Sequence, residues 1–222
     1  MMSHSIRTQF QPTHPQPVAP KGFAHINRYW DKQQGVYAAK ILPGEFYIST
    51  GGEMIVTVLG SCISACVRDK YKGVGGMNHF MLPVQRENME MGALSALSES
   101  ARYGNWAMEY LINEVLKNGG EKRNLEVKVF GGGKVLESMN KIDIGRKNID
   151  FVHQFIENES LQLIAEDVGG LYPRKVLYFP DTGSVKVRKL KTIRNDVVFE
   201  RERSYARVIN TKPAQGDIEL FD

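Results

Sequence analysis

The feature that most constrains the fold of this sequence is a pair of apolar segments separated by a short polar turn. Residues 54–68 are rich in β-branched and small apolar residues, which favour extended backbone. Residues 69–73 read DKYKG, a composition typical of a turn, and residues 74–82 are again largely apolar. We therefore predict an antiparallel hairpin whose turn is centred between Lys70 and Tyr71.

Later segments indicate how this hairpin is covered. Apolar residues at three- and four-residue spacing predict helices over residues 94–115 and 144–155. Short apolar runs predict further strands at residues 126–130, 161–165, 175–179 and 185–190. Helices that mix with hairpins and with strand-helix-strand passages indicate an α/β fold, a layered α/β sandwich with a mixed sheet, over residues 44–190.

The flanking regions differ from this domain in composition. Residues 1–22 hold four of the nine prolines, and we expect a flexible tail because such a composition buries little apolar area. Residues 23–43 contain aromatic residues and are expected to form an ordered N-terminal extension, and residues 191–222 form a C-terminal extension. The eight basic and three acidic residues of Lys186–Arg207 leave open a partner-binding surface or, more simply, a solvated charged face. The acidic and apolar residues that alternate over 216–222 leave open an added edge strand or a frayed end.

Composition excludes several classes of protein. A chain of 222 residues can bury a core without disulfide or metal staples. The two cysteines, Cys62 and Cys66, lie four residues apart and fit neither a secreted disulfide framework nor a four-cysteine zinc module. The net charge of +4 is mild and basic residues are not interleaved with aromatic ones, so we expect no nucleic-acid partner. Without a signal peptide or a long apolar run, we expect no direct membrane insertion and a cytoplasmic location.

Cys62 and His79 are the candidate catalytic pair. In a hairpin centred between Lys70 and Tyr71, paired residue numbers sum to 141, which places Cys62 directly opposite His79. Directly opposed Cβ atoms lie about 4.5–5.5 Å apart, so the sulfur and the imidazole would touch. A neighbouring imidazolium lowers the pKa of a thiol, and the pair meets the minimum requirement for a nucleophile and its base. The alternative is that Cys62, like many cysteines in apolar strands, only packs in the core.

Neighbouring residues support the catalytic alternative. Gly60 lets the backbone bend just ahead of Cys62, so that the amides near Ser61 and Cys62 would donate to a developing oxyanion. Asn78, or the hydroxyl of Thr57, would orient the ring or the substrate.

We expect no cofactor and no metal. Cys62, Cys66 and His79 supply three zinc ligands without an evident fourth, and Cys66 is better assigned to the core. The GGGK segment at residues 131–134 lacks the spacing of a phosphate loop. The adjacent carboxylates within residues 166–170 are more typical of a turn than of a metal-binding loop. Both segments are expected to shape a site rather than to perform chemistry.

Five segments, taken in order, resemble the signature segments of the CheD family of chemoreceptor glutamine deamidases. They are TVLGSC at 57–62, NHFMLP at 78–83, KVFGGG at 128–133, IGRKN at 144–148 and EDVGG at 166–170. The order of all five makes the resemblance specific, and it covers residues 44–190. It implies a fold similar to that of bacterial toxin-type deamidases.

The resemblance also implies a function. It implies hydrolysis of selected glutamine side chains of methyl-accepting chemotaxis receptors to glutamate, with Cys62 as the nucleophile, His79 as its base and Thr57 as the third catalytic position. Some members of the family also bind a CheC-type phosphatase, which is a further candidate partner. Two alternatives stay open: a non-catalytic adaptor that binds receptors or a CheC-type phosphatase through the same groove, and a methylesterase that acts on receptor glutamyl esters.

Overall fold

The computed structural model describes residues 14–83, 93–135, 143–191 and 196–211. Residues 1–13 of the predicted tail and the alternating segment 216–222 lie outside these ranges. The described elements follow one another as β1 (Asn27–Asp31), β2 (Val36–Lys40), β3 (Phe46–Ser49), β4 (Met54–Leu59), β5 (Ile63–Asp69), β6 (Gly75–Asn78), α1 (Ala93–Lys117), a 3₁₀ turn (Lys122–Asn124), β7 (Leu125–Gly131), α2 (Ile144–Asn158), β8 (Gln162–Val168), β9 (Arg174–Phe179), β10 (Ser184–Lys189) and α3 (Asp196–Thr211).

The strands form two five-stranded sheets. The outer sheet has the order β1-β2-β4-β9-β10, and the central sheet has the order β3-β6-β5-β7-β8. Neighbouring strands are antiparallel, except that β2 and β4 of the outer sheet are parallel and so are β7 and β8 of the central sheet. Both sheets are therefore mixed.

The central sheet is the middle layer of a sandwich. Helices α1 and α2 contact its strands, and β5 is buried at six of its seven positions, as expected for a strand covered on both faces. In the outer sheet, β9 alternates between buried and partly buried residues, so one face packs into the main core. That core joins Ile55 and Val176 of the outer sheet to Val67 and Val127 of the central sheet and to Met108 of α1. The predicted α/β fold is confirmed.

Helix α2 shows how the sequence determines local structure. Asp143 precedes it and its carboxylate accepts the backbone N–H of Arg146 at 2.9 Å, which satisfies a donor of the first turn. Ile149, Val152 and Phe155 are buried at three-residue spacing and form the face that packs on the central sheet. The predictions of a helix here and at α1 are confirmed.

In the described ranges, no helix combines the length and the apolar character that crossing a membrane requires.

The predicted hairpin is confirmed, but its predicted register is wrong. Paired residue numbers of β5 and β6 sum to 143 instead of 141. The carboxylate of Asp69 accepts the backbone N–H groups of Tyr71 and Lys72 at 2.8 and 3.0 Å, which moves the centre of the turn by one residue. Cys62 is consequently not directly opposite His79, which lies two residues away from that position along the chain.

Two regions outside residues 44–190 contribute to this structure. Within the predicted N-terminal extension, β1 and β2 form one edge of the outer sheet. In the predicted C-terminal extension, helix α3 packs Tyr205 and Ile209 against the main core. The basic segment Lys186–Arg207 thus includes part of a helix with a buried face.

Candidate active site

Cys62 ends the loop Gly60–Cys62, the cysteine loop, which links β4 of the outer sheet to β5 of the central sheet. The cysteine is fully buried and its thiol is free. The three glycines at residues 131–133, the glycine segment, begin at the last residue of β7 and support the loop from behind. The N–H of Gly132 donates to the carbonyl of Cys62 at 2.7 Å, and that of Gly133 donates to the carbonyl of Gly60 at 2.7 Å. The segment therefore holds the backbone of the cysteine loop in place.

Asn148 of α2 fixes the cysteine loop from another side. Its buried side chain donates to the carbonyl of Ser61 at 2.8 Å and accepts the N–H of Leu82 at 2.9 Å. Gly145 allows the helix to approach the glycine segment, because a Cβ at this position would lie 2.5 Å from the carbonyl oxygen of Gly132. The IGRKN segment therefore acts by positioning the cysteine loop.

The EDVGG segment, residues 166–170, contacts the glycine segment that supports the cysteine loop. The N–H of Gly169 donates to the carbonyl of Gly131 at 2.9 Å, which ties the segment to the glycine segment. Its two carboxylates already have partners, since they contact His153 and Arg174. All five signature segments are thus connected around Cys62.

His79 follows β6, and its imidazole reaches the cysteine from the central sheet. A ring nitrogen of His79 and the Sγ of Cys62 belong to a group of side-chain atoms that lie within 4.8 Å of one another. The ring is held by Thr57 of β4, whose hydroxyl oxygen lies 2.8 Å from Nδ1. The structure therefore brings together the three residues that the sequence singled out.

Thr57 determines which ring nitrogen of His79 carries the proton. The hydroxyl hydrogen of Thr57 is donated to the carbonyl oxygen of Ile41 at 2.9 Å, so its oxygen can only accept from the ring. Nδ1 is therefore protonated and the lone pair resides on Nε2. Among the described residues, Nε2 has no hydrogen-bond partner. This nitrogen is free to take the proton of the thiol.

Asn78, the other candidate for orienting the ring, has different partners. Its Oδ1 accepts the N–H of Ala65 at 2.8 Å, and its Nδ2 donates to the carbonyl of Ala107 at 3.1 Å. Asn78 therefore ties β5 to α1, and the ring of His79 is oriented by Thr57.

One buried carboxylate at the site was not predicted from the sequence: Glu202 of α3, which is 1% exposed. Its Oε1 accepts the N–H groups of Gly60 at 2.8 Å and of Cys62 at 3.1 Å. Its Oε2 accepts the N–H of Ser61 at 2.9 Å and the hydroxyl of the same residue at 2.7 Å. The amides that were predicted to stabilise an oxyanion thus hold a carboxylate.

Glu202 does have a sequence signal. Val198, Glu202, Tyr205 and Ile209 are buried or partly buried and recur at spacings of four, three and four residues, which is one face of a helix. A glutamate in the middle of an apolar stripe is unusual, because carboxylates are rarely buried without partners. The net charge of the segment does not reveal this stripe, because basic residues surround it in the sequence.

Burial keeps the thiol and the imidazole in their neutral forms. Desolvation, with a smaller contribution from the charge of Arg201, lowers the pKa of His79 to about 3. Desolvation also raises the pKa of the Cys62 thiol, and the charge of Glu202 and its hydrogen bond to the thiol raise it further. With α3 in this position, the proton stays on the sulfur.

Among the described residues, one group of side chains lies close enough to share a metal ion, and it consists of Cys62, His79 and Glu202. Hydrogen bonds already account for the position of the carboxylate, because both of its oxygens accept donors from the cysteine loop. Cys66, the third member of the zinc set considered from the sequence, lies in the apolar core. Its assignment to the core is confirmed.

A shallow pocket opens beside His79 on the side of α1. Phe46 and three aromatic residues of α1, Tyr103, Trp106 and Tyr110, contribute to its lining. The rings of Trp106 and Tyr110 are exposed and their centroids lie 5.3 Å apart. Exposed aromatic clusters are typical of surfaces that bind other proteins. The rim of the site therefore suits a protein ligand.

Comparison with known proteins places these features in one family. Residues 81–189 match the family model described as CheD chemotactic sensory transduction. A protein of Halorhodospira halophila named probable chemoreceptor glutamine deamidase CheD is 55% identical over 205 residues, which are 92% of this chain and 94% of that protein. Proteins of the same name from Saccharophagus degradans and Methylobacillus flagellatus are 49% and 51% identical, over 92% and 88% of this chain and 94% and 95% of those proteins.

Proposed function

The chain belongs to the CheD family, and on that premise we propose that it is a protein-glutamine deamidase of chemotaxis, which hydrolyses selected glutamines of chemoreceptors to glutamate. The observation that carries the proposal is the meeting of a free thiol, Cys62, and the ring of His79 beside backbone N–H groups that hold a carboxylate. A carboxylate is the group that this reaction forms. The site is therefore matched to the product as well as to the nucleophile.

In the proposed mechanism, Cys62 is the nucleophile and His79 is the general base. Nε2 of His79 takes the proton of the thiol, and the sulfur then attacks the carbon of the substrate carboxamide. Because the charge of Glu202 opposes ionisation of the thiol, this step requires the substrate to replace the carboxylate. The neutral carboxamide removes that opposition.

The cysteine loop stabilises the tetrahedral intermediate in this mechanism. The N–H groups of Gly60 and Cys62 converge on the position that Oε1 of Glu202 occupies. Donors that are already oriented stabilise developing negative charge strongly, because they need no reorganisation during the reaction. The glycine segment and Asn148 keep these donors in place.

The leaving step returns the proton. The imidazolium of His79 protonates the departing nitrogen, so that ammonia leaves and a thioester remains on Cys62. Nε2 then deprotonates a water molecule, which attacks the thioester and releases glutamate and the thiol. Thr57 keeps Nδ1 protonated throughout, so Nε2 performs every proton transfer. The cycle consumes one water, releases one ammonia and involves no metal or cofactor.

The proposed substrates are the cytoplasmic parts of methyl-accepting chemotaxis receptors, and the proposed location is accordingly the cytoplasm. The relatives are named as chemoreceptor glutamine deamidases, which supports chemoreceptors as the substrates. We extend the proposal to a CheC-type phosphatase as a second protein partner, on the resemblance of the signature segments. Retention of such a phosphatase by the immobilised full chain tests this extension, and failure to retain it contradicts the extension alone.

Ammonia release from a receptor cytoplasmic fragment tests the deamidase directly, with mass spectrometry to identify the converted glutamines. We expect Cys62→Ala to abolish conversion. Cys66→Ala is the matched control, because it removes a thiol four residues away that lies in the core, and it should retain most of the activity. Full conversion by Cys62→Ala would overturn the mechanism, and absence of conversion by the unmodified chain would favour an adaptor.

A further inference from the structure

Helix α3 covers the active site with a face that is buried at Val198 and Glu202 and partly buried at Tyr205 and Ile209. Val198 is 8% exposed, whereas the preceding Val197 is 62% exposed. Further along, Tyr205 packs so closely on Gly44 that a Cβ at the glycine would lie 2.8 Å from its ring. The hydroxyl of Tyr205 also contacts the hydroxyl of Tyr103 on α1. The helix is therefore seated on a surface shaped to receive it.

The centre of this face places an anion on the catalytic donors. A buried carboxylate is costly unless donors surround it, and Glu202 receives its donors from three consecutive residues of the cysteine loop. A Cβ at Gly60 would lie 2.8 Å from Oε2 of Glu202, so the approach depends on the glycine. With this helix in place, Cys62 is fully buried and cannot meet a substrate.

We propose that α3 is a built-in ligand of the active site, which holds a product-like carboxylate over Cys62 and occupies the surface on which the receptor segment binds. The inference rests on the proposed function and adds its regulation. The described structure is then the closed form of the enzyme. Turnover requires α3 to leave, and a receptor segment and α3 compete for one surface.

The donors distinguish a carboxylate from a carboxamide. Both oxygens of Glu202 face N–H groups, so Glu202→Gln directs its own N–H₂ group against at least one of these donors. This isosteric change should release α3, because hydrogen bonds to a charged group are the strong ones and an unmatched buried donor is costly. Glu200→Gln is the matched control, since Glu200 lies one half-turn away with a side chain that is 65% exposed.

A second pair of variants releases the helix without altering the chemistry around Cys62. Val198→Asp places a charge on the buried face of α3, one turn before Glu202. Val197→Asp places the same charge on the exposed face and serves as its control. Agreement between the two pairs separates movement of the helix from a local effect of the Glu202 charge.

Alkylation of the full-length protein by iodoacetamide measures the opening, with each cysteine followed by peptide mapping. We expect Cys62 to react at least about tenfold faster in Glu202→Gln and Val198→Asp than in the unmodified chain, which corresponds to about 1.4 kcal/mol. Both control variants should match the unmodified chain. Cys66 is an internal reference for unfolding, because it lies in the main core, and its reaction should stay slow in every variant.

Receptor deamidation by the same proteins completes the test, and we expect the two opening variants to exceed the unmodified chain by a similar factor. The proposal would be overturned if Cys62 were alkylated at the same rate in all proteins while Cys66 stayed protected. It would also be overturned if the unmodified chain were active and the opening variants were alkylated faster at Cys62 without converting receptor glutamine faster. If Cys62 becomes accessible as expected but no protein converts receptor glutamine, α3 still covers the thiol and the deamidase function is what fails.

Discussion

The hydroxyl oxygen of Thr57 lies 2.8 Å from Nδ1 of His79, while its hydrogen is donated to the carbonyl of Ile41 at 2.9 Å. This contact joins the two sheets, because Thr57 belongs to β4 of the outer sheet and His79 follows β6 of the central sheet. It fixes the tautomer of the ring and leaves Nε2 for proton transfer. In the proposed mechanism, a neutral hydroxyl takes the orienting role that a carboxylate takes in many catalytic triads.

Replacing Thr57 by valine should lower kcat by roughly 10- to 100-fold, because the ring loses its orientation and its fixed tautomer. The substitution keeps the shape of the side chain, so KM for the receptor fragment should change little. Thr57→Ser is the matched control: it keeps the hydroxyl and should stay within a few-fold of the unmodified enzyme. A valine variant with undiminished kcat would show that Thr57 is only a packing residue.

The folded chain should lose stability as the pH falls from about 6.5 towards 3. Burial lowers the pKa of His79 to about 3, so in this window the unfolded chain binds a proton that the folded chain does not. Stability therefore rises with pH by up to about 1.4 kcal/mol per pH unit, and this contribution is fully present above the ordinary pKa of histidine. Besides burial, the charge of Arg201 on α3 lowers the pKa of the ring. Cys62, Glu202 and Thr57 are the other polar or titratable groups that lie close to it.

Urea unfolding at a series of pH values measures this dependence. Because other groups also titrate, the informative quantity is the difference between the unmodified chain and His79→Gln, which should have a shallower dependence below pH 6.5. His25→Gln is the control for removal of one histidine, since His25 is exposed and lies outside the site, and it should follow the unmodified chain. Identical slopes for the His79 variant and the unmodified chain would contradict a buried neutral imidazole.

The sequence predicted those parts of the fold that depend on local periodicity. The buried face of α2 repeats every three or four residues, so Ile149, Val152 and Phe155 mark the helix without any knowledge of its neighbours. The register of the hairpin was not predictable in the same way. It depends on hydrogen bonds from one side chain, Asp69, to the backbone of the turn, and composition does not fix their position.

The residues of the candidate site differ in the same way: some are predictable from the sequence and one is not. Cys62, His79 and Thr57 lie close together in the sequence. The predicted hairpin and the family resemblance select them, although the predicted register wrongly places Cys62 directly opposite His79. Glu202 lies 140 residues beyond Cys62 and reaches it only through tertiary packing. Its chemistry, a carboxylate on backbone amides, is complete only after α3 is placed on the cysteine loop. Contacts of this kind follow from the fold rather than from a motif.

Removal of divalent metals should leave both the deamidase activity and the thermal unfolding midpoint unchanged. Cys62 retains its proton in the closed form, and hydrogen bonds from the cysteine loop satisfy both oxygens of Glu202. Neither group is thus prepared as a metal ligand, which must be deprotonated and free. Dialysis against EDTA, followed by activity and calorimetric measurements, checks this. Loss of activity that zinc restores would instead identify Cys62, His79 and Glu202 as a metal site.

Asn148→Ala should destabilise the protein by roughly 1–3 kcal/mol, because it leaves the carbonyl of Ser61 and the N–H of Leu82 buried without partners. It should also lower kcat, since the cysteine loop loses the support that positions its amides. Asn158→Ala, at the exposed end of the same helix, is the control and should change neither quantity appreciably. Urea unfolding and receptor deamidation measure the two effects. A stable Asn148→Ala protein with full kcat would show that the position of the loop does not depend on Asn148.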